Sequence, residues 1–227
     1  MKQNKSLFIL AAAAFIVLSI VNVAGKLFQP SIDIASMVKP ALLPVLAIAT
    51  LAAIGDIGRK GVALLIAAQL AGCLGDILLL RSEFPFFAGG ICAFLAGHIC
   101  YINLFKKSFI GLKAWQWCVS IACMGVFVAG LVMLIGIKGA MLAPMAIYGS
   151  ALAFLILTGV LGVLRKGGHA WTFILCGAVL FTFSDAQIAM DTFGKSYNGQ
   201  AFVIMFTYLL AQALLAIGSI KLIKADA

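Results

Sequence analysis

The sequence predicts an all-α integral membrane protein, a single bundle of about eight transmembrane helices. Two observations lead to this fold class. The 227 residues are 64% hydrophobic and only 10% charged, whereas soluble proteins are roughly 45–50% apolar and 25% charged. The apolar residues also form long runs, separated by short connections rich in Gly, Pro and charge. A soluble fold of this length could not bury so much apolar surface, so we expect one transmembrane domain over residues 1–227.

Each apolar run has about the length of a membrane-spanning helix, which needs roughly 20 residues to cross a hydrocarbon core about 30 Å thick. The connections between the runs, such as the one containing Gln29-Pro30, are too short to fold alone. The expected spans cover residues 7–25, 35–54, 62–80, 86–105, 115–135, 142–164, 171–190 and 200–223.

The first run has a second interpretation as a signal peptide. Lys2 and Lys5 precede it, and Asn22-Val23-Ala24 is similar to a cleavage site. The apolar part of a signal peptide has only about 7–15 residues, whereas this run has about 18, enough to cross a bilayer. We therefore expect a retained first helix; cleavage would leave seven spans.

The distribution of basic residues predicts the orientation of the bundle. Cytoplasmic loops carry an excess of Lys and Arg, and an eight-span path puts most of the 16 basic residues on the side of both termini. Both termini are therefore expected in the cytoplasm. Because the basic residues lie in short clusters between apolar runs, we expect no nucleic-acid partner. The cytoplasmic set is Lys2, Lys5, Arg59, Lys60, Lys106, Lys107, Lys113, Arg165, Lys166, Lys221 and Lys224. The opposite set is Lys26, Arg81, Lys138 and Lys195.

Several ionisable and polar side chains lie inside the spans, where they are costly and mark candidate functional sites. At a rise of about 1.5 Å per residue, Lys39, Asp76 and Asp185 each lie roughly 6–8 Å from the centre of their span, toward the outer face. Side chains from separate helices at one depth predict a shared, partly hydrated pocket. Asn22 and Tyr148 lie in the same layer, and His98 lies near the membrane centre beside it.

Each of these residues also has a structural interpretation. Lys39 lies near a helix start and can extend its amine outward to water. Asp185 can form an ion pair with Lys39 that fixes the bundle, and His98 can be a packing residue. Asn and Tyr side chains often form hydrogen bonds between membrane helices. Asp76 is the least easily explained in this way, because a carboxylate is too short to reach water from its position.

Other types of catalytic site are excluded by the inventory of residues. The chain contains 2 histidines, His98 and His169, and the second lies in a loop, so a zinc site with three histidines cannot be built. There is also no GxSxG motif and no phosphate-binding loop. Two carboxylates, a cation and a histidine remain, and such groups can carry out general acid–base catalysis.

Short motifs follow one another from span two to span eight. They are Val38-Lys39-Pro40, the LGDILL segment at 74–79, the segments 87–90 and 94–101, Phe183-Ser184-Asp185, and the stretch from Tyr208 to Gln212. In order and spacing they resemble the YhhN-like lysoplasmalogenases, small multispanning enzymes of bacteria and animals. The resemblance covers most of the chain.

This resemblance implies hydrolysis of the vinyl ether bond of lysoplasmalogens, which gives a fatty aldehyde and glycerophosphoethanolamine or glycerophosphocholine. The expected partners are a lysophospholipid substrate and the surrounding membrane lipids, with no metal or organic cofactor. The expected location is the inner membrane of a bacterial cell. No oligomeric state is predicted.

The polar layer fits this chemistry. A vinyl ether is hydrolysed by protonation at carbon, and water then attacks the oxocarbenium ion, so an acid and a base are needed. We expect Asp76 and Asp185 to fill these roles, in either order, with His98 as the third candidate catalytic residue. The candidate substrate-binding residues are Lys39, Tyr148, Asn22 and Tyr101.

Two alternatives remain open. A transporter or lipid-binding protein could use the buried Asp, Lys and His side chains to relay protons or bind a solute. Pro40, Pro44 and Pro144 permit broken helices, although the two halves of the chain show no paired interruptions. A hydrolase acting on another lyso-lipid would share the site and differ in its pocket.

Overall fold

The computed structural model describes residues 4–28 and 34–225; Lys2 and the predicted turn at Gln29-Pro30 lie outside these ranges. Within them the chain forms eight α-helices and no strand, which confirms the all-α fold. The helices are α1 (Lys5–Phe28), α2 (Ile34–Ile54), α3 (Val62–Leu78), α4 (Phe84–Leu104), α5 (Ala114–Ile135), α6 (Leu142–Arg165), α7 (His169–Thr192) and α8 (Gln200–Ala225).

Among the described helices, 7 are long and apolar enough to cross a membrane, as expected for a multispanning membrane protein. Helices suit this setting because lipid offers no hydrogen bonds to the backbone. The remaining helix, α3, has 17 residues, about 25 Å at the helical rise per residue. It ends at Leu78 rather than at the predicted residue 80. There the backbone enters turns, in which Leu80 N–H bonds Ile77 and Arg81 N–H bonds Leu78.

Most successive helices pack side by side, although α4 packs against α3 and α6 rather than against α5, and the α7–α8, α1–α2 and α3–α4 pairs have the largest interfaces. Glycines allow the α7–α8 pair to approach closely. A Cβ on Gly177 would lie 2.8 Å from Leu215, and one on Gly218 would lie 2.9 Å from the Ala170 carbonyl oxygen. Small residues at helix crossings are typical of association in lipid. Because α8 also contacts α1, α2 and α3, it closes the bundle around a common interior.

The helix α5 is the least embedded. It packs mainly against α6, with a smaller contact to α7. Among its residues only Ser120 and Ile135 are buried. Most of its side chains therefore face the surroundings of the bundle rather than its interior.

Two prolines, Pro40 and Pro44, lie within α2. Pro44 has no N–H, so the carbonyl of Pro40, four residues earlier, lacks its usual helical donor. The Cys73 thiol of α3 takes this place, with its Sγ 3.4 Å from the Pro40 oxygen. This contact fastens α2 to α3 beside Lys39, the residue that precedes Pro40.

Candidate active site

Asp76 lies near the end of α3 and is buried, with 2% of its surface exposed. Its Oδ1 is 3.3 Å from the Lys39 ammonium of α2, and its Oδ2 accepts a hydrogen bond of 2.7 Å from the Tyr208 hydroxyl of α8. Three helices therefore converge on this carboxyl group. Both partners offer hydrogens to it, which is the environment of a carboxylate.

The residues before Asp76 on α3 form a buried polar stripe. Gln69, two turns earlier, donates a hydrogen bond of 3.0 Å to the Thr50 hydroxyl of α2. Gly72, one turn earlier, leaves space for both neighbouring helices: a Cβ there would lie 2.7 Å from Leu43 of α2 and 3.2 Å from Gln212 Nε2 of α8. The glycine therefore lets side chains of α2 and α8 pack closely against α3 beside Asp76.

Tyr101 is connected to Asp76 through a chain of hydrogen bonds. Its hydroxyl donates to Gln212 Oε1 at 3.1 Å, and Gln212 Nε2 donates to the Tyr208 hydroxyl at 3.4 Å. Tyr208 in turn donates to Asp76. Tyr101 is 1% exposed, so the structure places it behind Tyr208 as a buried partner of Gln212.

Asp185 of α7 belongs to a second cluster of polar side chains, which also contains Tyr148 and His98. The Tyr148 hydroxyl of α6 donates a short hydrogen bond to its Oδ2, and His98 Nε2 of α4 lies 3.9 Å from the same oxygen, beyond hydrogen-bond distance. Asp185 Oδ1 is buried, and within the described ranges it has no hydrogen-bond partner. A buried polar atom without a partner requires an explanation, such as a water or a substrate that completes the site.

Aromatic rings lie between the two clusters. The Phe181 ring packs against the His98 ring, with 4.7 Å between centroids, and against the Tyr208 ring at 5.4 Å. His98 also meets the Tyr148 ring edge-on at 5.5 Å. Phe181 therefore links the residues that touch Asp76 to those that touch Asp185.

The structure brings most of the predicted site residues into these two neighbouring clusters, in the half of the bundle where α3 and α7 end. Lys39 pairs with Asp76, so the alternative of an ion pair with Asp185 is wrong. The spacing along each helix had fixed the depth of these side chains but not the direction in which each one points. His98 and Tyr148 both lie beside Asp185.

Asn22 is placed elsewhere. It is fully buried on α1, and its Nδ2 donates a hydrogen bond of 2.6 Å to the Ala35 carbonyl of α2. This contact ties α1 to the start of α2, and neither aspartate takes part in it.

An apolar cleft lies between α4, α5, α6 and α7, and the space within it, including its open side, is about 510 Å³. Its lining is apolar except for Tyr148 and Asp185. Apolar walls with a few polar groups are typical of pockets that bind small ligands. Asp185 is thus the point at which the polar interior meets a space suited to an apolar ligand.

Three residues that connect the clusters, Tyr208, Gln212 and Phe181, were not among the predicted site residues. Tyr208 contacts Asp76 directly, and its spacing of four from Gln212 in a largely apolar helix was the available signal for both residues. Phe181 has no such signal, because a phenylalanine in an apolar run predicts only packing.

Known proteins are similar to this chain over most of its length. The model of the YhhN family matches residues 34–219. Lysoplasmalogenase TMEM86B of Mus musculus is 31% identical over 170 residues, which cover 72% of this chain and 66% of the relative. The Homo sapiens protein of the same name is 31% identical over 159 residues, 70% of this chain and 64% of the relative.

A third relative, lysoplasmalogenase TMEM86B of Sus scrofa, is 30% identical over 179 residues, 77% of this chain and 71% of that protein. The matches to the mouse and human relatives span just under two thirds of their length. No solved structure matches the chain significantly.

Proposed function

Because this chain belongs to the YhhN family, and its relatives are named lysoplasmalogenases, we propose that it hydrolyses the vinyl ether bond of lysoplasmalogens. The products are a fatty aldehyde and a glycerophospho-headgroup. The observation that carries this proposal is a pair of buried carboxyl groups with unlike partners, one of which lines an apolar cleft.

The reaction needs one acid and one base. The acid protonates the alkene carbon that is not bonded to the ether oxygen, which gives an oxocarbenium ion. Water attacks the other alkene carbon while the base takes a proton from it. The resulting hemiacetal splits into the aldehyde and the alcohol of the headgroup, and a proton passes from the base back to the acid. One water molecule is consumed.

Asp185 is the residue that we assign as the acid. It lines the cleft, and its Oδ1, without a hydrogen-bond partner in the described part of the chain, is suited to carry a proton to the substrate. The titratable groups that touch it are Tyr148 and His98, and neither is a permanent cation. Tyr148 orients the carboxyl group through Oδ2, and His98 packs edge-on against Tyr148 as a positioning residue.

Asp76 suits the role of the base. The Lys39 ammonium and the Tyr208 hydroxyl stabilise it as a carboxylate, and each of its oxygens keeps a lone pair for a water molecule. Two carboxyl groups in unlike environments divide the acid and base roles in other hydrolases. Lys39 thus acts on Asp76, and this supports tuning of the base over binding of the lipid phosphate.

The proposal includes the setting of the reaction. The protein lies in the bacterial inner membrane with both termini cytoplasmic, and the substrate is a lysophospholipid of that membrane. Tyr101 supports Tyr208 through Gln212, and Asn22 supports the α1–α2 pair, so both residues act through the scaffold.

The test is release of fatty aldehyde by the purified protein from a vinyl ether lysolipid, with the ester analogue beside it. Asp76→Asn and Asp185→Asn should each lower turnover by about 10²–10⁴-fold. The double variant should be little worse than either, because residues that act as a unit lose their effect together. Asp191→Asn, an exposed aspartate at the end of α7, is the matched control and should keep normal activity.

The same assay separates the alternatives. Solvent deuterium should slow the reaction, because proton transfer to carbon is expected to limit the rate. Hydrolysis of the ester but not of the vinyl ether would indicate a different lyso-lipid hydrolase. If both single Asn variants are folded and keep most of the activity, the two-aspartate mechanism is wrong. If the wild-type protein releases no product from either lipid, a carrier function becomes the better interpretation.

A further inference from the structure

A thin wall separates the apolar cleft from the outside of the bundle. On the outer side, a groove between α5 and α6 encloses about 860 Å³, including its open side. Val128 and Val132 of α5 line both the inner cleft and the outer groove, and both are only partly buried. One layer of side chains therefore stands between the surroundings of the bundle and the space that reaches Asp185.

The helix that forms this wall, α5, is firmly packed at its C-terminal end and loosely packed along its middle. At the end, Ile135 packs with Met145 of α6, and Lys195 donates a hydrogen bond of 2.6 Å to the Leu134 carbonyl. Along the middle, none of the residues between Ser120 and Ile135 is buried. Segments with few buried contacts open at the lowest free energy. The middle of α5 can therefore move away from α6 without disturbing the bundle core.

A single hydrocarbon chain is the occupant whose chemistry matches the lining of the cleft. The lining offers apolar side chains along its length and polar atoms only where Tyr148 and Asp185 meet. The buried Asp185 Oδ1, unpartnered within the described ranges, provides a site for a reactive group at this point. A 1-alkenyl lysolipid has the same pattern, an apolar chain that ends at one reactive bond.

We propose that the hydrocarbon chain of the substrate enters sideways from the bilayer between α5 and α6, passes Val128 and Val132, and lies in the cleft with its vinyl ether at Asp185. This inference rests on the proposed function. Gly149 of α6 lines the cleft beside Val128, and a Cβ there would make an ordinary contact of 3.7 Å with a Val128 methyl group. An alanine at position 149 fits, whereas a larger side chain occupies the cleft.

The first test is the chain-length preference of Gly149→Leu. This variant should lose at least about tenfold in kcat/KM for a long-chain vinyl ether lysolipid relative to a short-chain one, since a single methylene in an apolar pocket changes discrimination by about 10–200-fold. Gly130→Leu places the same side chain on the open face of α5 and should keep the wild-type preference. An unchanged preference in Gly149→Leu, or an equal loss on both substrates, would overturn the inference.

The second test does not depend on turnover or on the folding of a variant. A saturated ether lysolipid with a diazirine at the chain end is photolysed with the wild-type protein, and the labelled peptides are identified by mass spectrometry. We expect labelling concentrated on the facing sides of α5 and α6. Labelling of exposed α1 at the same level as α5 and α6 would contradict the assigned path.

The two tests separate failure of this inference from failure of the proposed function. Aldehyde release together with labelling outside the cleft overturns the tail site and leaves the lysoplasmalogenase proposal intact. Labelling of the cleft without aldehyde release from any vinyl ether lysolipid supports the chain-binding site and overturns the proposed activity.

Discussion

The ion pair between Lys39 and Asp76 permits a quantitative test of the site. The two charged groups are 3.3 Å apart, and their side chains are 14% and 2% exposed. Lys39→Met removes the cation and leaves a buried carboxylate with the Tyr208 hydroxyl as its remaining partner. Removal of one partner of a buried pair costs about 3–5 kcal/mol. At about 2–4 °C per kcal/mol for a chain of this size, Tm should fall by about 6–20 °C.

A double-mutant cycle isolates the interaction between these two groups. Asp76→Asn should cost less than Lys39→Met, because the long lysine side chain can move its amine toward water. The double variant Lys39→Met, Asp76→Asn leaves neither charge buried and should be more stable than Lys39→Met alone. The coupling energy between contacting residues is about 0.5–3 kcal/mol, and we expect a value in the upper half of this range.

The assay is the fraction of protein that remains folded after heating in detergent, followed by fluorescence-detected size exclusion. Lys138→Met is the matched control, because Lys138 is exposed in a loop and surface substitutions of this kind change stability little. The reasoning would be refuted by a Tm of Lys39→Met equal to that of Lys138→Met. Strict additivity of the two single variants would refute it as well.

Further predictions concern the hydrogen bonds of the carboxyl groups and the orientation of the bundle. Tyr148→Phe removes the donor to Asp185 and should lower kcat more than it raises KM, measured by aldehyde release. Tyr208→Phe should shift the pH profile of kcat, since it removes a donor to the base. In intact cells and a background without native cysteines, a cysteine at Lys195 should react with an impermeant thiol reagent and one at Lys166 should not; equal labelling would reverse the assigned topology.

Much of the fold could be predicted from the sequence because the bilayer leaves few alternatives. A chain in lipid must satisfy its backbone hydrogen bonds locally, so each apolar run gives a helix, and the last run, predicted at 200–223, gives Gln200–Ala225. The end of α3 at Leu78 was less predictable. Leu79 and Leu80 continue the apolar run, but hydropathy does not distinguish a final helical turn from the turns that follow it.

That Lys39 and Asp76 lie at one level of their helices was predictable, and their pairing was not. The rise per residue places Lys39, Asp76 and Asp185 at similar heights along their helices. The choice between Asp76 and Asp185 as the partner of Lys39 depends on which helices touch, and that order follows from packing across the bundle. Gly72 illustrates this: it gives room to Leu43 of α2 and Gln212 of α8, and a single glycine in an apolar run gives no indication of it.

The location of α5 at the edge of the bundle could not be predicted from the sequence either. Its residues are as apolar as those of a buried helix, yet among them only Ser120 and Ile135 are buried, because a membrane helix is apolar on its lipid side as well as on its protein side. Hydropathy therefore cannot identify the helix at the edge of a membrane bundle. It could not predict that Val128 and Val132 would separate a cleft from the outside.

The difference between the two carboxyl groups links this arrangement to the proposed chemistry. Vinyl ether hydrolysis needs a proton donor close to the alkenyl chain and a base that can hold water. Asp185 is beside the apolar cleft and touches no lysine or arginine in the contacts of the described residues. Asp76 is beside a lysine and a chain of polar side chains. If the two roles were exchanged, Asp76, which is paired with Lys39, would have to protonate a vinyl ether that lies in the cleft beside Asp185. For this reason the geometry favours Asp185 as the acid.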